Sequence, residues 1–183
     1  METLTKTDTD LFIQADIFND LLTGAALFTD KNIAACMSVA LTIKDNKLIA
    51  AATNRYALIV GSAAIPDTPD MELRLITGAD IKTLSTTLKT AKKATIRVKI
   101  TAQSLTLNSL GSDLTINLFE GKFPEYKHLF PTEFNAVERM SFNPNLMATF
   151  GKLTDKTGGI NVRFNGEHKA MEITFTGASE SDP

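Results

Sequence analysis

Histidine and cysteine, which serve in nucleophilic catalysis and zinc binding, are rare in this chain of 183 residues: there are two histidines, His128 and His168, and one cysteine, Cys36. They lie far apart in the sequence, and none has a metal-ligand spacing such as histidines at i and i+4. A nucleophile pair of Cys36 and His128 is conceivable. The segment "AACMSV" around Cys36 is apolar, however, which favours a packed core thiol over a reactive one.

Phosphate-binding and acid–base patterns are equally weak. Gly24 and the pair Gly158–Gly159 are isolated, so they do not form a phosphate-binding loop. Glu120 and Glu125 flank a proline-containing link and fit a solvated edge better than an acid–base pair. We therefore predict that the chain is not an enzyme and binds no metal or cofactor. A small hydrolase that uses Cys36 is the weaker alternative.

Composition limits the class of protein further. With 43% hydrophobic residues, the chain can bury the core of one large domain, or of one domain and a fraction. A net charge of −2 argues against a surface that grips nucleic acid everywhere but leaves room for a local basic face. One cysteine excludes an internal disulfide, and no segment approaches the roughly 18 apolar residues of a membrane span. These features predict a soluble, cytoplasmic protein.

The pattern of strands and helices repeats three times. In the first copy, the strand "LFIQA" precedes a helix in "DIFNDLLTGAAL", with Ile17, Leu21, Leu22 and Ala25 on one stripe behind Asp16 as a possible cap. The extended segments "CMSVALTI" and "KLIAAATNRYALIVGSA" follow, joined by the short turn "KDNK". The first copy is therefore a strand, a helix and antiparallel strands.

The second and third copies keep this order. In the second, "MELRLI" precedes the helix "GADIKTLSTTLKT", whose apolar face carries Ile81, Leu84 and Leu88, and three alternating strands follow. In the shortened third, "VERMSF" precedes "NPNLMATFGKL", where Asn143 can cap a helix and Pro144 fits its first turn. The strands "GINVRF" and "HKAMEITFTG" then form a hairpin. Only the order repeats, not the letters.

The repeats predict an α+β fold with helices on one face and antiparallel sheets on the other. Each helix has an apolar stripe that one sheet cannot cover alone, so the copies should pair. Residues 10–68 and 70–131 then make one complete domain, 10–131, and residues 133–178 make half a domain. The unpaired third repeat, with its exposed stripe and sheet edge, predicts association with another chain.

Two segments carry a resemblance to a known family. Residues 119–131, "FEGKFPEYKHLFP", resemble the segment after the middle domain's second repeat in bacterial DNA polymerase III beta subunits, the sliding clamps. The residues that follow the family pattern are Gly121, Lys122, Phe123, Pro124, Glu125, Tyr126, Lys127, His128, Leu129 and Pro131. "AATNRYAL", residues 51–58, is similar to a second family strand, but Asn54, Arg55 and Ala57 depart from its pattern, which has glycine at Arg55. The chain thus resembles a divergent, shortened clamp of a phage or mobile element.

The resemblance implies a DNA-clamp fold and a sliding clamp, or processivity factor, that encircles duplex DNA without reading its sequence. The implied partners are a DNA polymerase and a clamp loader, held through short peptide motifs. Family rings contain twelve repeats, so chains of three would close as a homotetramer, with an open dimer as the competing outcome. The alternative function is a clamp-derived peptide-binding or regulatory module that does not encircle DNA.

The resemblance also implies two sets of site residues. The partner-peptide groove would comprise Thr53, Tyr56, Leu58, Pro124, His128 and Leu129, with Ile173 and Phe175 as its third wall. The DNA-facing residues would be Lys82, Lys89, Lys92, Lys93, Lys152 and Lys156. Lysines on a polar helix face are also ordinary solubilising residues, and the prolines also fix the crossover between repeats. Asp16 and Asp20 on the first helix would make a DNA-facing lining patchy.

Overall fold

A computed structural model describes residues 8–109, 111–137, 140–153, 158–166 and 169–175. The chain forms two compact units, Met1–Pro124 and Glu125–Pro183. The described residues form three α-helices and antiparallel β-sheets, which confirms the predicted α+β class. The predicted division into a complete domain, 10–131, and a half domain, 133–178, stays a prediction.

The first unit contains two halves of the same order. The first half comprises β1 (Thr9–Gln14), α1 (Ala15–Ala26), a 3-10 turn (Ala34–Cys36), β2 (Ser38–Lys44), β3 (Lys47–Thr53) and β4 (Leu58–Ala64). The second half comprises β5 (Met71–Thr77), α2 (Gly78–Ala91), β6 (Thr95–Ile100), β7 (Ser104–Ser109) and β8 (Ser112–Asn117). A strand, a helix and three strands therefore occur twice. The sequence predicted the repeated order, but it gave β3 and β4 as one extended segment.

The two halves exchange their first strands. One antiparallel sheet has the order β4-β3-β2-β5 and the other the order β1-β6-β7-β8. Strand β1 therefore pairs with β6 of the second half, and β5 pairs with β2 of the first half. Neither half has a complete sheet without the other. This exchange makes the pair of halves the folding unit.

Alternation and turn chemistry explain these strands. In β1 the residues alternate strictly between buried and exposed, with Leu11 and Ile13 inside. Strands β2 and β3 join at Asp45 and Asn46, whose φ angles are 50° and 59°. Two consecutive positive φ angles define the type I′ hairpin turn, and Asp and Asn tolerate it best after glycine. The predicted hairpin at "KDNK" is confirmed.

The helices cover the sheets and pack against each other. Helix α1 contacts β3 and β4, and α2 contacts β5, β7 and β8. The predicted stripe Ile81, Leu84 and Leu88 of α2 is buried. Between the helices, the hydroxyl of Ser85 donates to Asn19 Oδ1 at 2.7 Å in a buried position. Without this bond, the pairing of the helices would bury two polar groups that have no hydrogen-bond partner.

The predicted stripe of α1 was partly wrong. The helix begins after Gln14, whose side chain makes no capping bond, and not behind Asp16. Phe18 is fully buried, whereas Ile17 is 46% exposed. Both neighbours are apolar, so the sequence did not reveal which of them faces the core. The position of the helix start and the contact with α2 decide it.

The second unit contains a 3-10 turn (Lys127–Leu129), α3 (Pro144–Phe150), β9 (Ile160–Arg163) and β10 (Glu172–Phe175). Asn143 caps α3 by accepting a hydrogen bond from the Asn145 amide at 2.9 Å, and Pro144 occupies the first turn, as predicted. Strands β9 and β10 pair in antiparallel register. The predicted strand "VERMSF" was wrong for its described residues, Val137 and Met140–Phe142, which are not in a strand.

The second unit lacks a core of its own among its described residues. None of them is buried, and α3 has no buried side chain. Phe142 is 52% exposed and Phe134 is 37% exposed. Its helix and its two-stranded sheet therefore hold apolar side chains that they do not remove from water.

Candidate functional site

The turn between β3 and β4 is held by side chains of its own first residues. The Thr53 hydroxyl donates to the Ala57 carbonyl at 2.9 Å and accepts a hydrogen bond from the Arg55 amide at 3.1 Å. Asn54 Oδ1 accepts from the amides of Tyr56, at 3.1 Å, and Ala57, at 2.9 Å. These bonds reverse the chain where the sequence suggested one continuous extended segment. The local signal was the Asn54 side chain, which favours such turns.

The turn separates the roles of the residues predicted to bind a peptide. Thr53 is 9% exposed, and its hydroxyl is already engaged twice within the turn. Tyr56 is 73% exposed at the tip, and Leu58 is partly exposed at the start of β4. Thr53 is therefore suited to position the turn, while Tyr56 and Leu58 are available for contact.

Arg55 has an unusual backbone conformation. Its φ angle is 75°, in the left-handed region that glycine adopts most easily. This chain therefore has a long basic side chain where the backbone of the turn favours glycine. The Arg55 guanidinium lies 5.8 Å from the centre of the Tyr56 ring. A basic and an aromatic group therefore occur together at an exposed tip.

The proline-containing link is predominantly exposed. Pro124, the last residue of the first unit, is partly exposed. In the second unit His128 is exposed and Leu129 is 50% exposed, on a 3-10 turn closed by the Leu129 amide donating to the Tyr126 carbonyl at 2.9 Å. The Tyr126 ring packs edge-on against Phe130, with ring centres 6.4 Å apart, and burial raises the pKa of the Tyr126 hydroxyl. The aromatic pair supports the turn that exposes Leu129.

The hairpin of the second unit carries the other two predicted groove residues. Ile173 lies opposite Val162 and Phe175 lies opposite Ile160 across the β9–β10 ladder. All four are partly exposed, so this short sheet presents an apolar face. On the same hairpin, the Arg163 guanidinium pairs with the Glu172 carboxylate and lies 4.1 Å from the centre of the Phe134 ring.

The predicted groove residues belong to both units. Those of the first unit are Thr53, Tyr56, Leu58 and Pro124, and those of the second are His128, Leu129, Ile173 and Phe175. Every one except Thr53 is partly or fully exposed. A peptide groove built from them stays a prediction.

The predicted DNA-facing lysines differ in their positions. Lys82 and Lys89 lie on the exposed face of α2, opposite its buried stripe. Helix α2 ends at Ala91, so Lys92 and Lys93 lie in the turn after it. Lys92 itself has a φ angle of 53°. All four are exposed, so their charges are accessible to solvent.

The third helix and the first helix add less positive charge than expected. Helix α3 ends at Phe150, so Lys152 follows it instead of lying on its face, and Lys156 lies outside the described residues. Asp20 is exposed on α1, beside the exposed Ile17. The positive charge described on the helical layer of the first unit is therefore concentrated on and after α2.

The candidates for chemistry remain scattered. Cys36 is 2% exposed, which is typical of a packed core thiol, and His168 lies outside the described residues. In the part of the chain that the structure describes, no three His, Cys, Asp or Glu side chains are grouped to hold a metal ion. Across the same residues, no helix has the length and apolar character needed to cross a membrane.

Solved structures share this fold. The beta subunit of DNA polymerase III from Thermotoga maritima superposes with a TM-score of 0.65 over 73% of this chain and 37% of that chain, at 15% identity. The DNA polymerase sliding clamp from Bacillus subtilis superposes with a TM-score of 0.63 over 96% of this chain and 50% of that chain, at 12% identity. No protein-family model and no curated protein sequence matches the chain.

A third structure shows a related clamp with a peptide. The Helicobacter pylori beta clamp bound to a DNA ligase peptide has a TM-score of 0.54 over 68% of this chain and 33% of that chain, at 19% identity. At these identities the likeness establishes the fold alone: the chain has the fold of bacterial sliding clamps. It spans about a third to a half of the length of these proteins.

Proposed function

We propose that the chain is a non-enzymatic DNA sliding clamp of the cytoplasm that encircles duplex DNA and tethers a polymerase and other replication proteins. The observation that carries the proposal is the clamp fold itself, shared with beta subunits at TM-scores up to 0.65. Because the chain spans only 37% of that beta subunit, a ring would have to contain several copies.

The second unit supplies the physical reason for assembly. None of its described residues is buried, whereas each half of the first unit buries its helix against the other half. A second copy that covers α3 and the β9–β10 hairpin would remove these apolar side chains from water. A contact between two identical surfaces is the commonest arrangement in homo-oligomers. We expect a homotetrameric ring, with an open dimer as the other outcome.

The charge on α2 supports contact with DNA. Lys82 and Lys89 lie on its exposed face, and Lys92 and Lys93 follow it. Lysines bind phosphates through charge without reading bases, which suits a protein that slides. The few charges and the exposed Asp20 predict weak binding to linear DNA, so a ring would be needed for retention.

Assembly and DNA retention are testable together. We expect light scattering to give the mass of four chains, and the protein to stay on nicked circular DNA and leave when the circle is linearised. A ring is lost from a linear end because only topology holds it. Replacing Lys82 and Lys89 by Glu should reduce loading, while the matched change of Lys44, exposed on β2, should not. A monomer that binds circular and linear DNA equally would refute the ring.

The groove is the second part of the proposal. Exposed apolar residues such as Leu58 and Leu129 suit a short peptide with apolar anchors. We expect a fluorescein-labelled peptide with leucine and phenylalanine anchors to bind, and Leu129→Ser to weaken it about tenfold, since one good anchor contact contributes about 1–2 kcal/mol. Leu73→Ser, at a comparably exposed leucine outside the groove, is the control. If both variants lose peptide affinity equally, Leu129 is not part of the groove.

The alternative is a clamp-derived peptide-binding or regulatory module that does not encircle DNA. The exposed Ile17 and Asp20 on α1 favour it, since a lining for DNA should be basic. A monomer or open dimer that binds the anchored peptide but is not retained on circular DNA would support this alternative.

A further inference from the structure

An open depression of about 460 Å³ adjoins the β3–β4 turn on the first unit. It is lined by Thr29, Asp30, Lys31, Asn32, Asn54 and Tyr56. Two segments distant in sequence, the loop after α1 and the turn at 54–57, therefore share one surface. None of the lining residues belongs to the buried core.

The depression has several hydrogen-bond donors, and its two charged groups, the Lys31 ammonium and the Asp30 carboxylate, are of opposite sign. Lys31 and Asn32 are exposed. Asp30 uses one carboxylate oxygen to accept the Asn32 amide at 2.9 Å. Asn54 Oδ1 already accepts two turn amides, which leaves its NH₂ group as the donor that it can offer to a ligand. A donor-rich surface with an ammonium group favours an anionic ligand.

Arg55 adds a second positive charge beside the depression. Its guanidinium lies 5.8 Å from the ring of Tyr56, which is 73% exposed and lines the depression. Its φ angle of 75° is costly for a residue with a Cβ atom, and glycine would relieve it. A long basic side chain kept in a strained, exposed position suggests a functional reason.

We propose that Lys31, Arg55 and Tyr56 form a subsite for an acidic side chain of a partner peptide. The two basic groups attract a carboxylate, and the exposed ring offers an apolar surface to the chain that carries it. Leu58, two residues after Tyr56, is a predicted groove residue of the same unit. The inference rests on the proposed peptide-binding function, and it specifies that the bound peptide carries a negative charge.

The first experiment uses a probe that does not need the groove. Tri-glutamate is titrated into the full chain at low salt while amide signals are followed by NMR, with tri-glutamine as the control. We expect tri-glutamate alone to shift the amides of 29–32 and 54–57. Absence of those shifts would overturn the inference, even if the anchored peptide binds. Shifts by tri-glutamate without binding of the anchored peptide would support the subsite and overturn the groove instead.

The second experiment compares two labelled peptides with the same leucine and phenylalanine anchors, one preceded by glutamate and one by glutamine. We expect the glutamate peptide to bind about fivefold tighter, since exposed ion pairs are individually weak. Lys31→Gln with Arg55→Gln should remove this preference and leave the glutamine peptide unaffected. The control Lys44→Gln removes an exposed charge at the end of the β2–β3 hairpin away from the 54–57 turn. It should change neither the preference for the glutamate peptide nor the affinity for the glutamine peptide.

Two further outcomes decide between the partners. If a short DNA duplex shifts the same amides more strongly than tri-glutamate, the surface binds phosphates and the inference is overturned. Arg55→Gly should keep the turn and relieve its backbone strain, so the variant should unfold at a higher temperature. If this more stable variant no longer prefers the glutamate peptide, the result would support the subsite. If the Arg55→Gly variant still prefers the glutamate peptide to the same extent, Arg55 is not part of the subsite.

Discussion

The two units of this chain contain the same kinds of element but bury them differently. In the first unit α1 and α2 pack against each other over two four-stranded sheets, and side chains such as Phe18, Leu22 and Leu84 are fully buried. In the second unit the described residues include one helix and one hairpin, and none of these residues is buried. The difference lies in the number of copies available to pair, since local sequence features such as the cap of α3 are in place.

This contrast indicates where stability resides. A helix gains most of its stability in a protein from tertiary packing of its apolar face, and α3 has only seven residues. The free energy of unfolding of the isolated chain should therefore come almost entirely from the first unit. The second unit should gain stability when another molecule covers it.

The largest expected effect compares one phenylalanine from each unit. Phe18→Ala should lower the free energy of unfolding by about 3–5 kcal/mol, because Phe18 is fully buried and its loss leaves a cavity. Phe142→Ala, at a residue 52% exposed, should change it by less than about 1 kcal/mol. Urea unfolding at low protein concentration measures both. Similar losses would mean that the second unit shares a core after all.

The next effect concerns hydroxyl groups. Ser85→Ala should cost about 1–3 kcal/mol, because it removes the buried donor to Asn19 Oδ1 and leaves that acceptor without its bond. Thr149→Ala removes an exposed bond to the Asn145 carbonyl on α3 and should stay within about 0.5 kcal/mol. The Asn19→Ala, Ser85→Ala double variant should cost less than the sum of the single changes. Strict additivity would show that the pair is not coupled.

A smaller effect of opposite sign is expected at the β3–β4 turn. Arg55→Gly should raise the free energy of unfolding by about 0.5–1 kcal/mol, because glycine adopts a φ of 75° without the strain of a Cβ atom. Arg55→Gln keeps the Cβ atom and should show no such gain. Thermal unfolding of both variants separates backbone strain from the loss of charge. A gain in both would point to charge instead.

The smallest effect concerns exposed ion pairs. The hydrogen bond from Arg97 lowers the pKa of the Asp10 carboxyl from 3.8, so the pair stabilises the fold above that pH and the stabilisation is lost as pH falls through the lowered value. Asp10→Asn should lower Tm slightly at about pH 7 and not at about pH 2.5. An equal loss at both values would indicate a role in packing. Glu172→Gln in the second unit should change Tm even less, since that unit contributes little to global unfolding.

Much of the first unit was predictable from the sequence. Two features follow from residues close together in the sequence. The buried stripe of α2, Ile81, Leu84 and Leu88, follows from helical periodicity, and the hairpin at Asp45–Asn46 follows from turn chemistry. The α1 stripe was less certain because Ile17 and Phe18 are adjacent and both apolar. Phe18, and not Ile17, lies in the core, where α1 packs against elements distant in sequence.

The candidate site was predictable only through resemblance. The exposure of Tyr56 and Leu129 agrees with a contact role, but nothing in the letters showed that the hydroxyl of Thr53 is used within the turn. The subsite at the depression was missed altogether, because Lys31 and Tyr56 belong to segments that meet only in the folded unit. The glycine expected at Arg55 was the one available signal, since it marks a positive φ angle.

The sequence by itself determined the repeated order of the first unit, a strand, a helix and then antiparallel strands, and the cap of α3, because each depends on side chains a few residues apart. Only the tertiary structure decided that β1 and β5 exchange sheets, that Phe18 rather than Ile17 is buried, and that none of the described residues of the second unit is buried. These features depend on contacts between distant segments. Burial of apolar surface stabilises these contacts. A local sequence pattern shows which residues are apolar, but it does not show which distant segment will cover them.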